Sequence, residues 1–227
     1  MSKYSKKELL EKAEKALLSE NFYNQKFVNY IGIAETGERY SEILSEFLLQ
    51  NRERFDKTIT PITRKSSYKI SSHNGKTTTG RSAKNSNREE EHIALGMYGK
   101  LFNHIGEILD YQVPLKNKKD DKAGKIDLLS FYDNSLHILE LKRPYNPETL
   151  LRCILEVYTY WKTIDQKKLI TDFHYQNVLL KKGILIWETC QAYQDFLKLP
   201  VTKKLAQALD VDVYVLDIEV KNKLTTP

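Results

Sequence analysis

The chain has 227 residues, 41% of them hydrophobic, and a formal net charge of +6. This length and composition are those of an ordinary globular protein with one sizeable core, so intrinsic disorder is not expected. No segment approaches the roughly 18 consecutive apolar residues that a membrane span needs, and the first residues lack the apolar centre of a signal peptide. The composition therefore predicts a cytoplasmic protein with no membrane partner.

The first part of the chain, residues 1–87, is predicted to be a helical extension. Apolar residues recur at helical spacing in two segments. These residues are Leu9, Leu10, Ala13 and Leu17, and then Ile43, Leu44, Phe47 and Leu48. We therefore expect residues 1–55 to be helical. Residues 60–87 have few apolar residues and two turn signals, which favour a hairpin or a loop that becomes ordered on binding.

Positive charge is concentrated in residues 52–88, which contain ten basic and two acidic residues, whereas the rest of the chain sums to −2. Such a block is typical of a surface that contacts a polyanion such as nucleic acid. A solvated linker explains the composition equally well, because most charge runs are simply surface. Under the first interpretation, a segment from about residue 52 to residue 87 contacts the nucleic acid. The residues expected to bind it are Arg64, Lys65, Lys69, Lys76, Arg81 and Lys84.

The second part of the chain, residues 88–227, is predicted to form the core of the fold. A cap at Asn87 and three successive glutamates predict a helix that runs to about residue 105. Asn146 is expected to cap a later helix, with Pro147 in its first turn. Strands are predicted over residues 108–116, 125–131, 136–142, 183–188 and 211–219, with a helical region over 190–209. This order of helices and strands predicts an α/β protein.

Two carboxylates are predicted to face each other across a tight hairpin. Asp133 and Asn134 tolerate the left-handed backbone of a two-residue turn, so residues that face each other must have numbers that add to 267. Asp127 and Glu140 satisfy this sum, and we expect their Cβ atoms to lie about 4.5–5.5 Å apart. Two ionised carboxylates at this separation repel each other.

A lysine is predicted to join this pair. Lys142 lies two residues beyond Glu140, so the alternation of a strand sends both side chains to one face, about 7 Å apart. A divalent cation would relieve the repulsion between the carboxylates, and hard oxygen ligands suit Mg²⁺ or Mn²⁺. A lysine at such a site can help to orient the attacking water. The spacing also allows a charged outer face on which Lys142 merely neutralises Glu140.

Asp127, then Glu140-Leu141-Lys142, between an acidic helix and another helix, resembles the PD-(D/E)xK nuclease superfamily. The resemblance covers residues 88 to about 219. It implies a restriction-endonuclease-like αβββαβ core, with a mixed central β-sheet flanked by helices. It also implies that Asp127, Glu140 and the backbone carbonyl of Leu141 bind Mg²⁺, for which Mn²⁺ can substitute.

The resemblance implies one more carboxylate from the first helix of the core. Glu90 shares a helical face with Ala94, Met97 and Leu101, which aims it inward, and we prefer it. Glu91 is a close second. Either glutamate can instead stabilise the helix dipole from the solvent.

The helix after Lys142 carries a further family feature, since similar nucleases often place a Gln-x-x-x-Tyr pair there. This chain has Glu156 and Tyr160 at that spacing, and Arg152 lies one turn earlier on the same polar stripe. The stripe can face substrate phosphate, or Arg152 and Glu156 can form an internal pair on an exposed flank. The chain departs from the family at Ile126, where a proline is usual, and at Glu156, whose role is therefore open.

These features together predict a Mg²⁺-dependent nuclease that hydrolyses phosphodiester bonds of DNA, with Glu90, Asp127, Glu140 and Lys142 as its catalytic residues. The alternative is a catalytically silent nucleic-acid-binding or assembly protein on the same fold. Several properties stay open, namely DNA or RNA as substrate, endonuclease or exonuclease action, a role in restriction, repair or mobile elements, and whether the chain forms a homodimer.

Overall fold

The computed structural model describes residues 3–18, 22–73, 89–116 and 124–217. Within these residues the helices are α1 (Lys6–Ala16), α2 (Tyr40–Gln50), α3 (Arg52–Lys57), α4 (Glu89–Met97), α5 (Leu150–Thr163), α6 (Gln166–Asp172), α7 (Gln191–Lys198) and α8 (Pro200–Ala208). The strands are β1 (Leu101–Phe102), β2 (Gly106–Pro114), β3 (Lys125–Tyr132), β4 (Ser135–Leu141), β5 (Leu179–Trp187) and β6 (Asp212–Leu216). The chain is thus an α/β protein, as predicted.

The strands of the described residues form one mixed sheet in the order β1-β2-β3-β4-β5-β6. Neighbours from β1 to β4 are antiparallel, whereas β4, β5 and β6 are parallel. The predicted hairpin between β3 and β4 is confirmed, because Tyr132 pairs with Ser135. Asp133 and Asn134 have φ angles of 45° and 53°, the left-handed backbone that a two-residue hairpin turn requires.

Alternate residues of the central strands enter two different buried clusters. Leu129 and Ile138 pack on the face that α5 covers, whereas Leu128 and Leu139 pack on the face that α4 covers. This period of two follows from the pleat of a strand. Since Glu140 follows Ile138 by two residues, it belongs to the α5 face.

The N-terminal segment is helical only in part. Helices α1 and α2 confirm the two predicted amphipathic segments, but the expectation of helix throughout residues 1–55 is wrong between them. Residues 22–39 contain two 3₁₀ turns and a bridge between Ile33 and Arg39. The chain reverses there at Gly37, whose φ of 84° is left-handed and ends any helix.

The N-terminal helices pack directly on the rest of the fold. Leu9 of α1 and Leu44 of α2 lie in the same buried cluster as α5 and the sheet. Glu42 of α2 accepts hydrogen bonds from the backbone N–H groups of Val201 (3.0 Å) and Thr202 (2.9 Å). This carboxylate therefore satisfies free donors at the N-terminus of α8, where negative charge is favourable.

Helix α4 is shorter than predicted, because it ends at Met97 rather than near residue 105. Gly99 adopts a left-handed φ of 69°, and its N–H donates to the carbonyl of Ile108 at 2.9 Å. The chain then turns into β1 and β2, so residues expected in the last turns of the helix instead belong to the sheet.

Helix α5 begins later than predicted. Thr149 is its cap, and the Thr149 hydroxyl accepts from the N–H of Arg152 at 3.3 Å. Asn146, the predicted cap, instead accepts from the N–H of Glu148 at 2.7 Å, so Pro147 precedes the helix. Thr149 and Asn146 both have the short polar side chain that suits an N-cap, and packing decides which of them caps the helix.

The rest of the core differs from expectation in smaller ways. The predicted helical region over 190–209 is split at Leu199 into α7 and α8, and α6 was not foreseen. The described residues 60–73 form no helix or strand, whereas residues 74–87 of the expected hairpin or loop lie outside the described part of the chain. Over the residues that the structure describes, every helix is too short or too polar to cross a membrane.

Candidate functional site

The predicted carboxylates and lysine meet in an open cleft of about 410 Å³. Its walls come from β2, β3, β4, the loop that follows β4, the first turn of α4 and one side of α5. Seven predicted site residues line it, namely Glu90, Asp127, Glu140, Lys142, Arg152, Glu156 and Tyr160. Four further residues also line it: Gln112, Lys125, Asn146 and Glu148. The tertiary structure thus brings these seven predicted residues together.

Asp127 lies where the pairing of β3 and β4 ends. The predicted register holds as far as Leu128 and Leu139, and beyond this pair the N–H of Leu141 donates to Asp127 Oδ2 at 2.9 Å. The other oxygen, Oδ1, accepts from Gln112 Nε2 at 2.8 Å. Two donors therefore hold the Asp127 carboxylate in one orientation beside Glu140.

Lys142 is buried and contacts three carboxylates. Its Nζ lies 2.6 Å from Glu140, 2.7 Å from Glu148 and 3.3 Å from Glu156. An ammonium group has three donors, so these carboxylates can use all of them. Burial by itself lowers the pKa of Lys142, but Glu140 and Glu156 more than offset this effect and hold the pKa above its ordinary value. These carboxylates therefore favour the protonated form of Lys142.

The two predicted metal ligands have raised pKa values. Burial raises the pKa of Asp127 from 3.8 to about 7 against the attraction of Lys142. Burial also raises the pKa of Glu140 well above its ordinary value, and the charges of Asp127 and Glu156 add to this effect. Desolvation and like charge are the usual causes of such shifts. Both carboxylates would be stabilised by additional positive charge.

The charge count of the cleft indicates how much positive charge it can accept. Five acidic side chains line it: Glu90, Asp127, Glu140, Glu148 and Glu156. Three basic side chains line it: Lys125, Lys142 and Arg152. Among the lining residues that the structure describes, the formal excess is two negative charges, which equals the charge of one divalent cation. The oxygen donors of Asp127 and Glu140 are also the type that Mg²⁺ and Mn²⁺ prefer, so the residues fit such an ion.

Glu148 is a site residue that the sequence reasoning missed. One of its oxygens lies 2.7 Å from Lys142 Nζ, and the other accepts from Arg152 Nε at 2.7 Å. A signal was available, because Arg152, Glu156 and Tyr160 recur every four residues on one helical stripe, and Glu148 lies four residues before Arg152, just ahead of the helix. Gln112 was missed as well, and no motif marks it.

Arg152 is engaged in contacts within the chain, the second of its two predicted arrangements. Besides its bond to Glu148, its NH1 donates to the carbonyl of Tyr23 at 2.8 Å, and its NH2 lies 3.9 Å from Glu156. The guanidinium also lies over the Tyr23 ring, 5.6 Å from its centroid. Arg152 thereby connects the N-terminal segment to the cleft.

Glu156 and Tyr160 form a hydrogen-bonded pair inside the cleft rather than on an exposed flank. The hydroxyl of Tyr160 donates to Glu156 Oε1 at 3.1 Å, and both residues are buried. Burial raises the pKa of Tyr160, and the charge of Glu156 raises it further. Tyr160 therefore stays protonated and acts as a fixed donor to Glu156.

The structure distinguishes Glu90 from Glu91, the two candidates for the site carboxylate contributed by α4. Glu90 Oε1 accepts from the N–H of Arg143 at 3.0 Å and from Asn146 Nδ2 at 2.9 Å. Glu91 is exposed, and its carboxylate lies 3.9 Å from Lys125 Nζ. Glu90 thus faces the cleft and holds the loop that follows Lys142, whereas Glu91 lies on the surface.

Within the basic block of residues 52–88, Arg64 does not form part of the predicted phosphate-binding surface. Arg64 is buried, and its guanidinium donates to the carbonyls of Ser66 (3.1 Å), Ser67 (2.6 Å), Pro114 and Lys116 (3.2 Å). A guanidinium engaged in this way supports the fold instead of meeting a phosphate. Lys65 and Lys69 are exposed, whereas Lys76, Arg81 and Lys84 lie outside the described residues.

No group of three His, Cys, Asp or Glu side chains is already arranged around a metal position in the part of the chain that the structure describes. The contact between Lys142 and Glu140 is one physical reason why these carboxylates are not already arranged around an ion. The ammonium group of Lys142 supplies the positive charge beside Glu140.

Comparison of the chain with protein-family models, with curated proteins and with solved structures found no match. The case for a function therefore depends on the geometry and charge of the cleft.

Proposed function

We propose that this protein is a Mg²⁺-dependent nuclease of the PD-(D/E)xK type that hydrolyses phosphodiester bonds of DNA. The observation that carries the proposal is the convergence of Asp127, Glu140 and Lys142 in one cleft. The mixed sheet, with α5 on one face and α4 on the other, is compatible with a restriction-endonuclease-like core.

Asp127 and Glu140 would hold the metal ion, with the backbone carbonyl of Leu141 as an additional ligand. When bound, Mg²⁺ supplies positive charge that polarises the phosphate and lowers the barrier to attack by water. Glu90 contributes by holding the backbone of Arg143 and the side chain of Asn146, directly beside the cleft. Its carboxylate would be a further ligand of the ion, directly or through water.

Lys142 acts as a cation and a hydrogen-bond donor. Its raised pKa favours the protonated ammonium, which is a hydrogen-bond donor and not a base. A fixed ammonium group orients the attacking water and stabilises the negative charge that grows on the phosphate. Glu148 and Glu156, at 2.7 Å and 3.3 Å from Lys142 Nζ, would still hold the ammonium if Glu140 were a metal ligand.

One observation favours the catalytically silent alternative, a nucleic-acid-binding or assembly protein on this fold. Lys142 and Glu140 form a close pair at 2.6 Å, and such a pair is complete without a metal ion. In a protein without nuclease activity, the exposed Lys65 and Lys69 would contact the nucleic acid. Metal binding therefore separates the two proposals.

The test is a cleavage panel with supercoiled, linear duplex, single-stranded and branched DNA and with RNA, each in Mg²⁺, Mn²⁺ or EDTA. We expect metal-dependent cleavage that falls at least about 100-fold in Glu140→Gln and Lys142→Ala, a typical loss for one electrostatic contributor. Glu91→Gln is the matched control, because it removes an exposed carboxylate from the same region, and its activity should stay unchanged.

Circular dichroism would first establish that each variant is folded. Undiminished cleavage by folded Glu140→Gln and Lys142→Ala would end the nuclease assignment. Calorimetry with Mn²⁺ addresses the alternative, because a wild-type protein that binds nucleic acid but no Mn²⁺ would be the silent form.

A further inference from the structure

An exposed tyrosine stands at the tip of a tight turn directly after Lys142. The N–H of Asn146 donates to the carbonyl of Arg143 at 3.2 Å, which closes a four-residue turn with Pro144 and Tyr145 in the middle. Tyr145 has a φ of 58°. Proline at the second position and a positive φ at the third are the marks of a type II turn.

Tyr145 is an unusual residue for this place. The third position of a type II turn favours glycine or asparagine, because a bulky side chain disfavours the left-handed backbone. Burial does not compensate for the strain, since 69% of Tyr145 is exposed, compared with 43% of Tyr132, the other exposed tyrosine among the described large hydrophobic residues. Folding alone therefore gives no reason for a tyrosine here, and strained exposed residues cluster at functional sites.

The turn that presents this ring is held firmly. Glu90 accepts from the backbone of Arg143 and from the side chain of Asn146. The N–H of Tyr145 donates to Thr189 Oγ1 at 3.3 Å, and the carbonyl of Asn146 accepts from the N–H of Gln191 at 3.0 Å. A rigid base lowers the entropy cost of binding through an exposed ring.

The turn also lies at the rim of the cleft. Lys142 precedes it and Asn146 ends it, and both residues line the cleft. Arg143, the first residue of the turn, has a partly exposed guanidinium whose NH1 lies 3.7 Å from a carboxylate oxygen of Glu89. An exposed aromatic ring on a turn whose neighbouring residues line the proposed phosphate-cleaving site has the chemistry of a platform for a nucleobase, because every base has a face on which a ring can stack.

We propose that Tyr145 stacks on an unpaired nucleobase next to the scissile phosphate, so that the preferred substrate is single-stranded DNA or a DNA end with unpaired bases. A base inside a duplex already stacks on its neighbours and offers no free face to the ring. This proposal deepens the nuclease proposal and depends on it for the identity of the ligand.

The test measures the binding of a labelled single-stranded DNA oligonucleotide, its duplex and the matching RNA by fluorescence anisotropy in EDTA, where cleavage cannot occur. We expect Tyr145→Leu to weaken single-strand binding about tenfold, within the range that loss of base stacking produces. Tyr145→Phe should bind within twofold of wild type. Tyr132→Leu is the matched control, because it removes another exposed tyrosine outside the cleft.

Tyr145→Gly provides an independent readout, because glycine suits the turn. This variant should melt at a temperature at least equal to that of the wild type and still lose single-strand affinity, which a purely structural role would not produce. Equal affinities of wild type, Tyr145→Leu and Tyr145→Gly for the single strand would overturn the stacking proposal, as would an equal loss for the duplex. Tyr145-dependent binding confined to RNA would reject DNA as the ligand.

Cleavage assays separate this proposal from the nuclease proposal. If the wild type cleaves DNA and Tyr145→Leu cleaves single strands with unchanged kcat/KM, stacking fails while the nuclease stands. If no metal supports cleavage but Tyr145-dependent binding of single strands persists, the nuclease fails while stacking stands. A wild-type protein that binds no oligonucleotide in EDTA and cleaves none with Mg²⁺ or Mn²⁺ would reject both.

Discussion

Replacement of Asp127 by asparagine is expected to stabilise the metal-free protein and to abolish its response to Mg²⁺. The wild-type carboxylate is held beside Glu140, and the negative charge of Asp127 is one cause of the raised pKa of Glu140. A neutral amide of the same shape removes that repulsion. The asparagine oxygen can still accept from Leu141, and the amide of Gln112 can turn to offer its own oxygen to the new NH₂ group.

The magnitude follows from the pKa of Asp127, which burial raises from 3.8 to about 7. At about 1.4 kcal/mol per pH unit, this rise corresponds to about 4 kcal/mol for a fully shielded group. Asp127 is partly exposed, so solvent screening reduces the expected gain in the free energy of unfolding to about 2 kcal/mol.

The pH dependence has a defined sign. Because the folded-state pKa is above the unfolded-state value, the folded protein binds more protons between about pH 4 and pH 7. The contribution of Asp127 to wild-type stability therefore declines as the pH rises through this window. The asparagine variant lacks that decline, so the gap between the two proteins should widen from pH 5 to pH 7.5.

The assay is urea unfolding of both proteins in EDTA at the two pH values, followed by thermal unfolding with increasing Mg²⁺ or Mn²⁺. A metal that binds only the folded state should raise the melting temperature of the wild type and leave Asp127→Asn unchanged. Glu91→Gln serves as the control for removal of an exposed carboxylate. An asparagine variant that is less stable than wild type in EDTA, with a gap that does not change with pH, would refute this reasoning.

Three further predictions concern polar groups that are buried or half-buried. Glu148→Gln should lower kcat about 10- to 100-fold with little change in KM, because Lys142 loses a charged partner at 2.7 Å. Arg64→Lys should lower the free energy of unfolding by about 2 kcal/mol, measured with urea, because lysine cannot reach all the carbonyls that the guanidinium satisfies. His137→Leu should stabilise the protein by about 1 kcal/mol at pH 8 and by more at pH 5, because neither ring nitrogen has a hydrogen-bond partner among the described residues. Burial lowers the pKa of His137 from 6.5, and Lys181 lowers it further, so wild-type stability falls as the pH drops below that value.

Each of these predictions has an outcome that contradicts it. A Glu148→Gln variant with wild-type kcat would show that Glu148 does not position Lys142, and Glu148→Asp should recover part of the activity if it does. An Arg64→Lys variant of wild-type stability with weakened DNA binding would return Arg64 to the phosphate-contacting surface. Equal stability differences at pH 5 and pH 8 for His137→Leu would mean that His137 does not titrate on unfolding.

The sequence by itself determined the features that depend only on residues close together along the chain. The turn at Asp133 and Asn134 follows from their tolerance of a left-handed backbone, and the alternation of a strand then places Asp127, Glu140 and Lys142 on one face. The inward direction of Glu90 follows in the same way from the period of a helix. These predictions needed no knowledge of distant parts of the chain.

Tertiary packing decided which partners the charged groups have. Arg64 bonds the carbonyl of Pro114, 50 residues away in sequence, and Arg152 bonds the carbonyl of Tyr23, 129 residues away. Local patterns report backbone preference and the face on which a side chain lies, but they carry no information about the distant element packed there. For that reason the acid pair and its lysine could be predicted from the sequence, whereas Glu148 as a partner of Lys142 and the burial of Arg64 were visible only in the folded chain.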